Sequence, residues 1–223
     1  MPDMDVAATI QLLSAAIIPV VFGITLHEVA HGLMARRCGD RTAEMQGRLT
    51  LNPLKHIDPV GSVVVPLVFI FLNLPPFGWA KPVPVNARNL RRPKRDMMLV
   101  AAAGPASNFA MAIFWTLVFA TAQPASVLAF GAREFFALMG TFGIKINVLL
   151  AIFNLLPIPP LDGGRVLRGL VPDSLGRTLD RVEPYGLIMV MGLLLLQFFG
   201  VLGPWLGVAV NLVSRWFFAA AGA

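Results

Sequence analysis

Apolar residues are gathered into long, nearly unbroken runs, with the polar residues confined to the segments between them. Residues 6–35, 97–122 and 135–156 each reach the roughly 20 positions that a helix needs to cross a bilayer. A further helical pair fits within residues 185–220. Residues 61–74 are apolar as well, but a helix of that length covers only about 21 Å of a core near 30 Å. That run ends at Leu74-Pro75-Pro76-Phe77-Gly78. Between the runs, residues 47–52 alternate polar and apolar side chains, which predicts a short strand. Residues 81–86 should be extended, because Pro82 and Pro84 each restrict the residue before them. The pattern predicts an all-α polytopic membrane protein. It would have five transmembrane helices, a re-entrant or short sixth segment at 61–74, and short strand-like segments. Residues 157–184 are expected to form a loop. The chain reads as a single domain over 1–223, with a core at about 7–170 and a C-terminal helical pair at about 185–220. No repeat or low-complexity tract interrupts it, and no appended regulatory module is expected.

Composition sharpens this picture. Apolar residues make up 57% of the chain and charged ones 13%, where a soluble domain carries about a quarter charged residues. The net charge of +6 could suggest nucleic acid. Its basic residues instead sit in short loops beside apolar runs, as the positive-inside rule requires of a membrane protein. Basic clusters flank residues 61–74 on both sides, so a crossing there would carry one cluster across the membrane. The segment is therefore expected to dip in and return, with the N-terminus outside and the end of the first helix and the C-terminus cytoplasmic. Asp3 and Asp5 precede the first run where a signal peptide would carry basic residues. The single cysteine, Cys38, excludes an internal disulfide framework.

The chemistry lies inside the first apolar run, at His27-Glu28-Val29-Ala30-His31. Residues four apart share a helix face, so both imidazoles can reach one metal ion. Glu28 projects about 100° away, placed to act as general base on water that the metal holds. Three ionisable groups in an apolar helix are costly, and such groups are functional by default. Zinc fits this donor set and makes water acidic enough to attack a peptide bond near neutral pH. A catalytic zinc usually takes three protein ligands and keeps one position open. His56, in a loop, and Asp162, before Gly163-Gly164, are the two candidates for the third place. Asp162 is the better one, because the prolines before it end a helix and the glycines allow a tight turn towards another element.

The histidine pair together with Leu161-Asp162-Gly163 resembles the signature of the site-2 protease family of intramembrane metalloproteases. Gly104-Pro105-Ala106-Ser107-Asn108, the stretch from Phe77-Gly78-Trp79-Ala80 through Asn86, and the pair Asn147 and Asn154 also match. The resemblance covers about residues 20–170 and points to the compact prokaryotic branch without PDZ or CBS domains. It implies one Zn2+ per chain held by His27, His31 and Asp162, with Glu28 as catalytic base. The implied partners are membrane-anchored protein substrates and the lipid bilayer, in a prokaryotic cell membrane. Asn108 and Asn154 stand where the family places polar residues near the metal. Each is a candidate for substrate binding or oxyanion stabilisation, or for an interhelical hydrogen bond. Asn147 reads as structural, and Lys145 as a side chain that snorkels out of its helix.

Two other classes compete. A zinc transporter would also place histidines in the membrane, but it leaves Glu28 without a purpose and should show inverted repeats. A non-catalytic scaffold that binds membrane helices has no need for an intact Glu28.

Overall fold

The first long apolar run forms helix α1 (Val6–Arg37). It ends where Gly39 adopts φ +113°, a conformation that costs glycine little and other residues much. Arg36 and Arg37 stand in its last turn, at the negative end of the helix dipole. A single turn, α2 (Thr42–Met45), follows. After a 3-10 turn at Pro53–His56, a π-helical turn at Pro59–Val64 runs straight into α3 (Val65–Phe71). Two long helices come next, α4 (Pro93–Thr121) and α5 (Phe130–Asn154). The chain closes with α6 (Asp162–Leu170), α7 (Asp173–Val182), α8 (Gly186–Phe198) and α9 (Trp205–Ala220). The structure is a computed structural model and describes residues 6–74, 78–123, 130–201 and 204–222.

Helices α1, α4 and α5 pack on one another, and α9 lies against α5 and α4. Their shared core holds Ala15, Ala112, Trp115, Met139, Ile144 and Val148. Gly143 lets α5 approach α4 closely, since a Cβ there would come within 2.2 Å of Trp115. Outward faces are equally apolar: Leu13, Ile17, Ile113 and Leu117 are all exposed. In water this would be an aggregation hazard; in lipid it is the required surface. Three described helices are long and apolar enough to cross a membrane: Ile10–Arg37, Pro93–Thr121 and Gly131–Asn154. Helices α8 and α9, with 13 and 16 residues, are shorter. The chain is an all-helical, multi-pass membrane protein.

Two expectations need correction. No strand occurs among the described residues: residues 48–50 and 78–86 are irregular. Pro82 and Pro84 lack the N–H a ladder requires, and the N–H of Val83 is given to a carboxylate on α1. Residues 157–184 are not a loop but contain α6 and α7. Their amphipathic turns, with apolar Val166, Leu167 and Leu170 or Leu175, Leu179 and Val182 among the arginines, were masked by the density of Pro and Gly around them.

The segment at 61–74 ends where Asn73 takes φ +56° and the Leu74 N–H returns to Phe69 O, at 2.8 Å. Beyond it the chain comes back to its own start. The Trp79 N–H donates to Gly61 O at 3.1 Å, and the Ser62 hydroxyl donates to Trp79 O at 2.9 Å. Val64, Leu67, Ile70 and Phe71 are left exposed on this hairpin.

Candidate metal and catalytic site

His27 and His31 project from the same face of α1, with their Nε2 atoms 3.0 Å apart. Asp162, the first residue of α6, brings Oδ2 to 3.1 Å from His27 Nε2 and 3.3 Å from His31 Nε2. Zinc–nitrogen and zinc–oxygen bonds of 2.0–2.2 Å in a tetrahedron separate the donor atoms by about 3.3 Å. The three atoms therefore already lie at nearly the spacing that zinc demands.

The surrounding hydrogen bonds decide which nitrogens carry protons. His27 Nδ1 lies 2.6 Å from Asn108 Oδ1, and the Asn108 amide nitrogen donates to Gly23 O at 3.2 Å and Asn147 Oδ1 at 3.0 Å. The amide oxygen thus faces the ring, so His27 donates from Nδ1 and keeps a lone pair on Nε2. His31 likewise donates from Nδ1 to Val100 O at 2.8 Å. Two lone pairs and a buried carboxylate oxygen with no hydrogen-bond partner consequently converge on one point. Three acceptors at contact distance repel one another unless a cation sits between them. Both rings are also held by their far nitrogen, as in metal centres generally.

Local sequence explains how the centre is built. Gly163 and Gly164 lie flat on the connection that follows α5, since a Cβ on Gly163 would stand 2.2 Å from Leu155 O and one on Gly164 2.6 Å from Pro159 N. Gly104 on α4 opens room for the imidazoles, because a Cβ there would meet His31 Nε2 at 2.4 Å and His27 Cε1 at 2.7 Å. Glu28 is half-buried beside the cluster and accepts the Val83 N–H on Oε2 at 2.7 Å, leaving Oε1 free of such a bond.

Among the other candidate residues, Asn108 is fully buried with both amide hydrogens committed, so it has no donor left for a substrate. Asn154 is half-buried and uses one amide hydrogen on Leu150 O of its own helix. Asn147 anchors to Gly143 O and to Asn108. His56 is buried away from the cluster, with Nε2 donating to Thr50 O at 2.9 Å. Lys145 is exposed on α5. Sequence reasoning missed the Val100 carbonyl, the Val83 N–H and the steric role of Gly104. The first two are backbone atoms with no signature, and Gly104 entered only as part of the Gly104–Asn108 motif.

Comparison with known proteins bears on the identity of the chain. The pattern of Peptidase family M50 matches residues 122–198, which include Asn154 and Asp162. YwhC of Bacillus subtilis is 39% identical over 187 residues, covering 82% of this chain and 80% of YwhC. Rip2 of Mycolicibacterium smegmatis is 31% identical over 199 residues, 89% of this chain and 68% of Rip2. A Methanocaldococcus jannaschii protein, MJ0611, is 28% identical over 69% of each chain. All three names contain the words zinc metalloprotease. No solved structure matches. Fold and site thus define an all-helical membrane zinc metalloendopeptidase, with Zn2+ as its cofactor. The chain belongs to peptidase family M50, the site-2 protease family.

Proposed function

We propose that this protein hydrolyses peptide bonds in or near the transmembrane segments of membrane-anchored proteins. The observation that carries the reading is the convergence of His27, His31 and Asp162 inside an apolar bundle, with a carboxylate beside them. His27, His31 and Asp162 hold the metal. A bound zinc supplies Lewis acidity and lowers the pKa of water enough for attack near neutral pH. Glu28 takes the proton from the attacking water on Oε1 and passes it to the leaving amine, while Oε2 stays on the Val83 N–H. Asn108 fixes the tautomer of His27 and makes no contact with substrate. Asn154 keeps one amide hydrogen available for a substrate carbonyl or for the developing oxyanion.

The topology follows the same reading. The return of Trp79 to Gly61 supports a re-entrant hairpin at residues 61–74. The Arg36-Arg37 pair supports a cytoplasmic end for α1, about 7–8 Å of helix beyond His31, so that water reaches the site from that side. The protein would then sit in a prokaryotic cell membrane with its N-terminus outside and its C-terminus cytoplasmic. Helices α8 and α9 complete five crossings although they are no longer, or barely longer, than the 61–74 segment. The basic clusters on both sides of 61–74, and not its length, set it apart.

The deciding experiment uses purified protein in lipid nanodiscs with a fluorogenic transmembrane reporter. Glu28→Gln should lose about 10²–10⁴ in rate while retaining bound zinc. Cleavage at the wild-type rate would overturn the protease mechanism, and zinc flux across proteoliposomes would favour a transporter instead.

A further inference from the structure

We propose that residues 81–86 form a strap that fixes the orientation of Glu28, and that Arg48 and Asp40 are positioning residues anchoring its two ends. The proposal rests on Glu28 being the general base. Between Pro82 and Pro84, which have no N–H, Val83 offers the one backbone donor, and it is spent on Glu28 Oε2 at 2.7 Å. A carboxylate held by one oxygen presents the other in a fixed direction, which is the pre-organisation that a base needs.

The strap lies directly on α1. The Val83 side chain is buried, and a Cβ on Gly32, one turn beyond Glu28, would come within 3.0 Å of it. Upstream, Arg48 is 8% exposed and donates from Nη2 to Lys81 O at 2.8 Å and Pro82 O at 3.4 Å. No carboxylate pairs with it among the described residues. A buried guanidinium without a counter-charge is costly, so the carbonyls of the strap provide its compensation. The Lys81 N–H adds a bond to His56 O at 2.8 Å.

Downstream, the buried Asp40 carboxylate accepts from Asn86 N at 2.7 Å, from Asn89 Nδ2 and Thr42 N at 3.0 Å each, and from the Thr42 hydroxyl. Burial alone would raise the Asp40 carboxyl, but the donors from Thr42, Asn89 and Asn86 outweigh it and hold it below the usual range. Both anchors follow α1 closely in sequence, one at its C-terminal end and one in the next connection. The strap is thus tied to surroundings fixed relative to the helix that carries Glu28.

The test uses the full chain, zinc-loaded for kinetics and zinc-free for amide exchange. Two variants break the strap differently. Arg48→Ala removes an anchor. An ester in place of the 82–83 peptide bond removes the Val83 N–H while leaving the 2.8 Å bond from Arg48 to Lys81 O in place and weakening only the 3.4 Å one to Pro82 O. Both should lower kcat about 10- to 100-fold, with KM changed less than about twofold and zinc content unaltered. Arg48→Lys, which can still reach a carbonyl, should recover part of the loss. In zinc-free protein, Glu28→Ala should speed hydrogen exchange at Val83. A wild-type kcat in the ester variant, or unchanged Val83 exchange in Glu28→Ala, overturns the strap. The ester and exchange arms decide even if Arg48→Ala fails to fold. If the wild type cleaves nothing, or Glu28→Gln cleaves normally, the protease reading fails, and the exchange experiment still decides whether the strap holds Glu28.

Discussion

Asn108 Oδ1 on α4 stands 2.6 Å from Nδ1 of His27 on α1, and this contact dictates which nitrogen of the ring faces Asp162. Partners of this kind contribute about 10- to 100-fold to metal affinity. Asn108→Leu, close in volume, should therefore weaken zinc binding by that factor in chelator competition while the helical content stays intact. Unchanged affinity would show that His27 needs no such support.

Gly104 makes the reciprocal prediction about space. A methyl group there would approach His31 Nε2 to 2.4 Å, so Gly104→Ala should reduce both zinc content and cleavage by displacing the rings. Gly192 in the interior of α8 meets nothing within 4 Å, and Gly192→Ala should leave zinc untouched and stabilise the helix by about 0.5–1 kcal/mol. Equal effects from the two substitutions would refute the steric account.

Asp162 and His56 were both possible third ligands, and the geometry separates them. Asp162→Ala should lower zinc content and activity together. His56→Ala should retain zinc, although loss of a buried side chain bonded to Thr50 O should cost about 1–3 kcal/mol of stability. Metal analysis with the reverse pattern would overturn the assignment.

The hairpin predicts a labelling result. Cysteines introduced at exposed Lys55 and Lys94 should react with an impermeant reagent from the same face of the membrane. Opposite-side accessibility would mean that residues 61–74 cross the bilayer.

Much of this was legible because the underlying signals are local. The apolar runs marked α1, α4 and α5 to within a few residues, and four-residue spacing placed His27 and His31 on one face. Asp162 was legible for a different reason, since its flanking Pro and Gly residues announce a turn. What remained hidden depends on atoms without a sequence signature. The Val100 carbonyl and Val83 N–H belong to the backbone, and any residue at 100 would supply the carbonyl and any but proline at 83 the N–H. The short helices α6 and α7 escaped because prolines and glycines crowd the segment, although both helices are clearly amphipathic. Residues 47–52 misled in the opposite sense: alternation alone implied a strand, yet Gly47 at φ +63° and the cap at Asn52 divert the chain into a turn.

The meeting of His31 with Asp162 has a thermodynamic side. A metal bridging them joins residues more than a hundred positions apart, so the site exists only in the folded chain and the metal binds that state in preference to the unfolded one. The link is reversible, and its effect depends on free zinc. Each tenfold rise in zinc above the dissociation constant adds about 1.4 kcal/mol to the folded state. The zinc supply of the cell would thus govern the lifetime of the folded protein as well as its turnover.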